Sequence, residues 1–228
     1  MAHIAALIMA AGRGDRFAGG TAKQLALVGG RPMVAWSIER LGNHPDVETV
    51  VLVIPPAQRD DWRIALAEPS GELVDHVVEG GERRQDSVRI GLEALPESAT
   101  HVLIHDAARP CLSSGLLARI VEALDGNEAV VPVTPAVDTL AVDGGGTLEA
   151  IVDRANIAAV QTPQAFGKQL ALRAHRKAFA DGLQMNDDGS LVLALGEKVV
   201  TVAGERTNIK VTYPEDIAIA EKILSQIK

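Results

Sequence analysis

The stretch HIAALIMAAGRGDRFAGGTAKQ, residues 3–24, decides the reading of this chain. Its opening, HIAALIMA, is a near-continuous apolar run, which reads as a strand covered on both faces, as in a parallel sheet. The strand runs directly into a glycine-rich loop carrying Arg13, Arg16 and Lys23, with only Asp15 to offset their charge. Such a loop is a cradle for phosphate. Two familiar phosphate loops are excluded by the letters. A Walker loop needs a lysine after its second glycine, and counting from Gly14 that position holds Gly20. A dinucleotide fingerprint needs a third glycine for close helix packing, and after Gly12 and Gly14 that position holds Phe17. What remains is a long cationic loop suited to a polyphosphate whose charge changes during a reaction. Alone, the stretch also fits a solvated turn with incidental cations.

Composition narrows the setting. The 228 residues, 47% of them apolar, supply enough side chain for a substantial core. We expect a single domain spanning 1–228. A net charge of −8 argues against general nucleic-acid binding, so a basic loop in an acidic chain is informative. The single cysteine, Cys111, rules out an internal disulfide and fits a reducing compartment, with the cytoplasm as the expected location. The run Ile4–Ala11 lacks the cationic flank of a signal peptide. No segment approaches the roughly 20 apolar residues that span a bilayer, so no membrane partner is expected.

Further short apolar runs follow: VETVVLVI, LVDHVVE, HVLIHDAA, EAVVPV and KVVTVA. Between them lie amphipathic segments. MVAWSIERL after Pro32 fits a helix. Ser113 or Ser114 is placed to cap a second, whose apolar stripe is Leu116, Leu117, Ile120, Val121 and Leu124. Thr212 and Glu215 have capping-box spacing before DIAIAEKIL. Alternating strands and helices imply an α/β fold, a Rossmann-like, mostly parallel sheet with helices on both faces and ligands at the carboxyl ends of its strands. The rhythm breaks at Ala136–Arg154, where two short pieces flank Gly144–Gly146. That segment reads as a projecting β-hairpin arm.

Other segments reach the same strand ends. Asp106, closing LIHDAARP, is placed where a carboxylate can meet Mg²⁺ on phosphates, since hard magnesium prefers oxygen; equally it fits a loop cap or a partner of Arg109. GGERRQDSV offers Gly80 and Gly81 for close backbone approach to a base, with Ser87 near a helix start. Lys210 stands among apolar neighbours in NIKVT, a position that also suits an outward edge-strand lysine. The six histidines lack metal-ligand spacing, and Cys111 reads as a buried inert thiol.

In order, AAGRGDRF with AKQ, GGERRQDSV, HDAARP, VDTL, VDR, TPQAF and NIKVTYPED resemble the 2-C-methyl-D-erythritol 4-phosphate cytidylyltransferases, CTP-dependent enzymes of non-mevalonate isoprenoid synthesis. The resemblance covers nearly the whole chain. It implies that Arg16 and Lys23 stabilise the transition state and that Asp106 binds the magnesium. It places Ala10, Ala11, Gly12, Gly80, Gly81 and Ser87 around the cytosine nucleotide. Arg154, Lys210, Thr139 and Thr162 then surround the polyol phosphate, supported by Arg109. It also implies a homodimer through the arm, with Arg154 close to a substrate phosphate, and Val137, Leu140, Val142, Leu148 and Ile151 supply an apolar surface there.

Two positions depart from the family pattern. Ala22 precedes Lys23 where a proline is frequent, and Thr207 stands where many members carry an acid before NIK. Either Glu205 substitutes as a second metal ligand or Asp106 serves largely alone. Two alternatives accompany the main reading: a ribitol 5-phosphate cytidylyltransferase, against which Ala108 speaks because that branch tends to valine there, and a non-catalytic nucleotide-binding protein of the same fold.

Overall fold

A computed structural model of the chain describes residues 3–12, 17, 23–56, 58–66 and 69–226. Arg13 and Arg16, like Ala22, lie outside the described residues.

In chain order the elements are β1 (Ile4–Met9), β2 (Leu27–Val28), β3 (Arg31–Pro32), α1 (Met33–Gly42), β4 (Val47–Ile54), α2 (Arg59–Ala65), β5 (His76–Glu79), α3 (Arg84–Glu93) and β6 (His101–Asp106). They continue with α4 (Ser114–Ala123), β7 (Ala129–Pro135), β8 (Leu140–Asp143), β9 (Leu148–Val152), β10 (Ala158–Val160), β11 (Gln164–Gly167), α5 (Lys168–Ala180), α6 (Asp188–Ala194), β12 (Val200–Ala203) and α7 (Asp216–Leu224). All six residues of β1 are buried, and it pairs in parallel with β4 on one side and β6 on the other. Its side chains alternate between two cores, as the period of two requires. Ala6 and Ile8 pack with Val34 and Ile38 of α1 and Leu116 and Ile120 of α4. Ala5 and Leu7 pack with Val88 and Leu92 of α3 and Leu170 of α5. Helices therefore cover both faces, and β1, β4, β5 and β6 all point their carboxyl ends to one edge.

The other half of the sheet is mixed. β11 runs antiparallel between β6 and β7, β10 pairs antiparallel with the far end of β7, and β12 lies parallel on the opposite side of β7. Neither β10 nor β11 is legible as a strand in the sequence, since three or four residues do not establish a period.

At α4, Ser113 is the cap, its Oγ accepting from the Leu116 amide at 2.9 Å. The capping box expected from Thr212 and Glu215 does not form. Instead the Asp216 carboxylate accepts from the Thr212 and Tyr213 amides, at 2.7 and 2.9 Å, and the helix begins there. An acid in the first turn ties down the amides just before the helix and also favours the helix dipole.

The arm forms as expected, β8 and β9 pairing, among the described residues, only with each other. Asp143 Oδ1 accepts from the amides of Gly145 and Gly146, both at 3.0 Å, and both glycines hold positive φ, so the tight turn uses conformations that other residues rarely adopt. The register sets Leu140 opposite Val152 and Ala141 opposite Ile151. The apolar side chains are therefore divided between two faces rather than gathered on one.

Candidate active site

The carboxyl end of β6 delivers Asp106 into a cluster of cations. Lys210 Nζ donates to its Oδ2 at 2.6 Å and Arg84 Nε to its Oδ1 at 3.1 Å. Burial alone would raise the Asp106 pKa, but Arg84, Lys210 and Arg109 outweigh it and hold the carboxyl far below the usual range. Arg84 is itself seated on a second carboxylate. Its Nη1 and Nη2 donate to Asp188 Oδ1 and Oδ2 at 3.1 and 2.8 Å, a fork-to-fork pair. Burial opposes the Asp188 charge, and Arg84 with His175 overcomes it, bringing the group to about 2. His175 Nε2 lies 3.3 Å from Asp188 Oδ1, close enough for an ion pair but misaligned for a hydrogen bond.

Beneath Asp106 the hydrogen bonds define one tautomer. His105 is fully buried, and burial pushes its pKa down to about 4, so the ring is neutral at pH 7. Its Nε2 lies 3.2 Å from the Arg109 carbonyl, which can only accept, so this nitrogen carries the proton. Nδ1 then accepts from the Thr162 hydroxyl at 3.2 Å, and Thr162 Oγ1 accepts from the Asp106 amide at 3.0 Å. Thr162 thus reaches the site as a buried brace, its hydroxyl committed on both sides. Asn208, also buried, donates to the Thr162 carbonyl at 2.9 Å.

Lys23 comes to the same place from the first loop. It is buried, and its Nζ donates at 2.8 Å to the carbonyl of Val211, the residue after Lys210. Gln24 Nε2 donates to the Gly12 carbonyl at 3.0 Å, tying the loop's start to its end. Arg109 Nη1 donates to Asn208 O at 2.7 Å, and burial, only partly offset by Asp106, lowers its pKa.

The residues expected around the nucleotide also converge. The Ala10 amide donates to Val53 O and the Gly80 amide to Ile54 O, each at 2.8 Å. A Cβ on Gly80 would lie 2.6 Å from Ser87 Oγ and 2.7 Å from the Ala11 Cβ, so only glycine fits between them. The Gly81 amide donates to Ser87 Oγ at 3.0 Å, which makes Ser87 a brace for this turn.

Thr139 and Arg154 are both exposed and lie on the arm side of the molecule. The Arg154 guanidinium donates to the carbonyl of Val137, across the root of the arm. Arg154 is absent from the walls of a cleft of about 490 Å³ lined by Arg109, Asp138, Gln161, Arg206, Asn208 and Lys210, among others.

Glu205 is turned away from Asp106. Its Oε2 accepts from Ser113 Oγ and its Oε1 from Arg119 Nη2, both at 2.7 Å. Among the described residues no group of three or more histidines, cysteines or carboxylates could hold a metal. One carboxylate at the carboxyl end of β6 still suits Mg²⁺, which commonly takes one or two protein carboxylates and completes its shell with substrate phosphates and water. The donor set fits a metal shared with substrate rather than a protein cage.

Comparison with known proteins decides the family. The model of the IspD family, 2-C-methyl-D-erythritol 4-phosphate cytidylyltransferase, matches residues 4–226. The chain belongs to that family. Enzymes of that name from Prochlorococcus marinus and Nocardia farcinica are 40% and 42% identical, over 96% and 98% of this chain and 97% and 94% of theirs. The crystal structure of the Thermus thermophilus cytidylyltransferase is similar with a TM-score of 0.79, at 37% identity over 96% of this chain and 98% of that one. A "Bifunctional enzyme IspD/IspF" from Rhodospirillum rubrum is 42% identical over 98% of this chain, which spans only 57% of that protein's length. Arg84, Asp188, Asn208 and His105 belong to the hydrogen-bond network around Asp106 and Thr162, and nothing in the sequence singles them out. The second arginine of ERRQDSV and the second aspartate of NDD were the available signals, both too common to weigh without a fold.

Proposed function

We propose that the chain transfers the cytidylyl group of CTP to the phosphate of 2-C-methyl-D-erythritol 4-phosphate, giving 4-diphosphocytidyl-2-C-methyl-D-erythritol and pyrophosphate for isoprenoid precursor synthesis. The carrying observation is that Arg84 and Lys210 both hold Asp106 while Lys23 is seated on the residue after Lys210, at the ligand edge of a sheet belonging to this family. An oxygen of the acceptor phosphate attacks the α-phosphorus, the bond to the β-phosphate bridging oxygen breaks, and pyrophosphate leaves. Negative charge grows on the crowded phosphorus. Lys23, with Arg16 of the same loop, meets that charge; preorganised donors of this kind each lower a barrier by roughly 3 kcal/mol. Bound Mg²⁺, held through Asp106, supplies charge neutralisation and alignment of the phosphates. Arg84 and Asp188 keep the Asp106 carboxylate in one orientation. Gly12, Ala10, Ala11, Gly80 and Gly81 admit the base and ribose at backbone range, with Ser87 holding their turn. Lys210 and Arg109 face the acceptor, and Thr162 braces the floor.

The chain acts as one nucleotidyltransferase unit and, in this reading, as a cytoplasmic homodimer through the arm. Support comes from Leu148 and Ile151, 71% and 62% exposed on a hairpin whose strands, among the described residues, pair with no other strand. An isolated two-stranded hairpin is marginal in water and gains stability by burying a face. Arg154, outside its own chain's cleft, then serves the partner's acceptor phosphate together with Thr139. Where relatives are bifunctional, this chain corresponds to their cytidylyltransferase portion.

Pyrophosphate release is the test, with CTP and Mg²⁺ and either methylerythritol phosphate or ribitol 5-phosphate in separate reactions. A specificity constant at least tenfold higher for the former is expected. Equal or reversed preference removes the substrate assignment, and no release with either removes the catalytic one.

A further inference from the structure

We propose that Arg206 is a further binding residue for the acceptor, gripping its phosphate group; this deepens the reading above and rests on it. The cleft of about 490 Å³ has three cations in its wall, Arg109, Lys210 and Arg206, and one carboxylate, Asp138. Two of the three cations are already engaged. Lys210 holds Asp106 at 2.6 Å, and Arg109 donates to the carbonyls of Asn208 and Val160. Arg206 is exposed and, among the described residues, makes no hydrogen bond or ion pair. Its neighbour in sequence, Glu205, is turned to Ser113 and Arg119 and forms no ion pair with it.

The backbone presents this guanidinium on a fixed support. The Asn208 amide donates to Glu205 O at 3.0 Å, closing a four-residue turn with Arg206 and Thr207 at its tip. Both ends of the turn are pinned. The Glu205 amide donates to Gln161 Oε1 at 3.1 Å, Gln161 Nε2 donates to Glu205 O at 2.8 Å, and Asn208 is tied through its side chain to Thr162. A rigid turn carrying an uncommitted planar fork matches a phosphate monoester, which offers paired oxygens and nearly two negative charges at neutral pH. The walls of this cleft include the arm root at Ala136 and Val137 but none of Gly80, Gly81 or Ser87, so its occupant is the acceptor and not the cytosine nucleotide. A cation on oxygens that do not change bonding holds ground state and transition state alike, and its loss raises KM more than it lowers kcat.

The experiment compares wild type with Arg206→Ala, Arg206→Lys and Arg206→Glu in steady-state kinetics, with inorganic phosphate as a competitor against the acceptor and thermal unfolding of each variant. For Arg206→Ala the KM for the polyol phosphate rises about tenfold and inorganic phosphate inhibits correspondingly less, with the KM for CTP within twofold. Arg206→Lys recovers part of the loss and Arg206→Glu deepens it, all with unchanged unfolding temperature. An acceptor KM within twofold in Arg206→Ala, or a parallel rise in both KM values, overturns the inference and leaves the proposed function standing. Absence of cytidylyl transfer by the wild-type protein overturns the reading itself, and this inference with it.

Discussion

The Asp106 edge and the hairpin arm are built on opposite terms. Around Asp106 the polar groups are tied to partners far away in sequence: Arg84 to Asp188, Lys23 to Val211, Thr162 to His105. The arm, by contrast, is closed by local bonds, an Asp143–glycine turn and its own ladder, and leaves large apolar side chains in water. A site that must hold charge in place needs its geometry settled within the chain. A segment that completes itself against another molecule needs only a local scaffold and an unsatisfied surface.

Removing one cation from the settled region is the harshest way to break this contrast. Lys23→Met keeps the aliphatic stem in its buried place, and turnover should fall by roughly 10²-fold or more, with circular dichroism unchanged. Near-normal turnover in the folded variant would make the ammonium structural.

On the arm, Leu148→Asp with Ile151→Asp places charge on the exposed apolar surface of the hairpin. Sedimentation should show a dimer for wild type and a monomer for the variant at micromolar concentration, with the melting of the core sheet little affected. Mixing Lys23→Met with Arg154→Ala subunits sharpens the same point. If Arg154 serves its partner, random pairing leaves about a quarter of all sites intact, so the mixture is far more active than either parent. Activity no higher than the parents' would place Arg154 in its own subunit's site.

The pH dependence separates the regions next. Asp188 titrates at about 2 in the fold against its ordinary 3.8, so its stabilisation is fully present above that ordinary value and is lost as pH falls through 2. Asp188→Asn should therefore cost about 2 kcal/mol near neutral pH, and the gap from wild type should close by pH 2. A gap that persists at pH 2 would point to packing rather than charge. Gly145→Ala is the mildest change. Its φ is +82° and a Cβ would meet nothing within 4 Å, so backbone strain of about 1 kcal/mol is the whole cost. Hydrogen exchange should quicken several-fold in the arm turn alone.

Legibility in the sequence divides along the same line as the chemistry. The apolar runs of β1, β4 and β6 announce themselves because strands buried on both faces are apolar throughout, and the arm because Gly144–Gly146 interrupts two short alternating pieces. Asp106 and Lys210 stood out as charges at the ends of such runs. Arg84 and Asp188 did not, since 104 residues separate them and nothing local marks either as the other's counter-ion. Asn208 carries no mark of its own within NIK, and its burial under Thr162 depends on how two distant loops close. Glu205 shows the converse: its position in the chain fitted a metal ligand, but its orientation belongs to Ser113 and Arg119.

The antiparallel strand β11 bears on how the chain assembles over time. It fills the gap between β6 and β7, yet it follows β7 by almost thirty positions, so as the polypeptide emerges, β6 carries an open hydrogen-bonding edge until Gln164–Gly167 arrives. The parallel half, β1 with β4, β5 and β6, is complete in sequence by Asp106 and can condense first. Pairing across such separations is slow because loop closure precedes its reward, and pulse-labelled exchange during refolding should show β1 and β4 protected before β7. For that interval the nascent molecule holds a bare strand margin of the kind that neighbouring chains pair with, which makes translation and refolding, rather than the finished enzyme, the stage most exposed to aggregation.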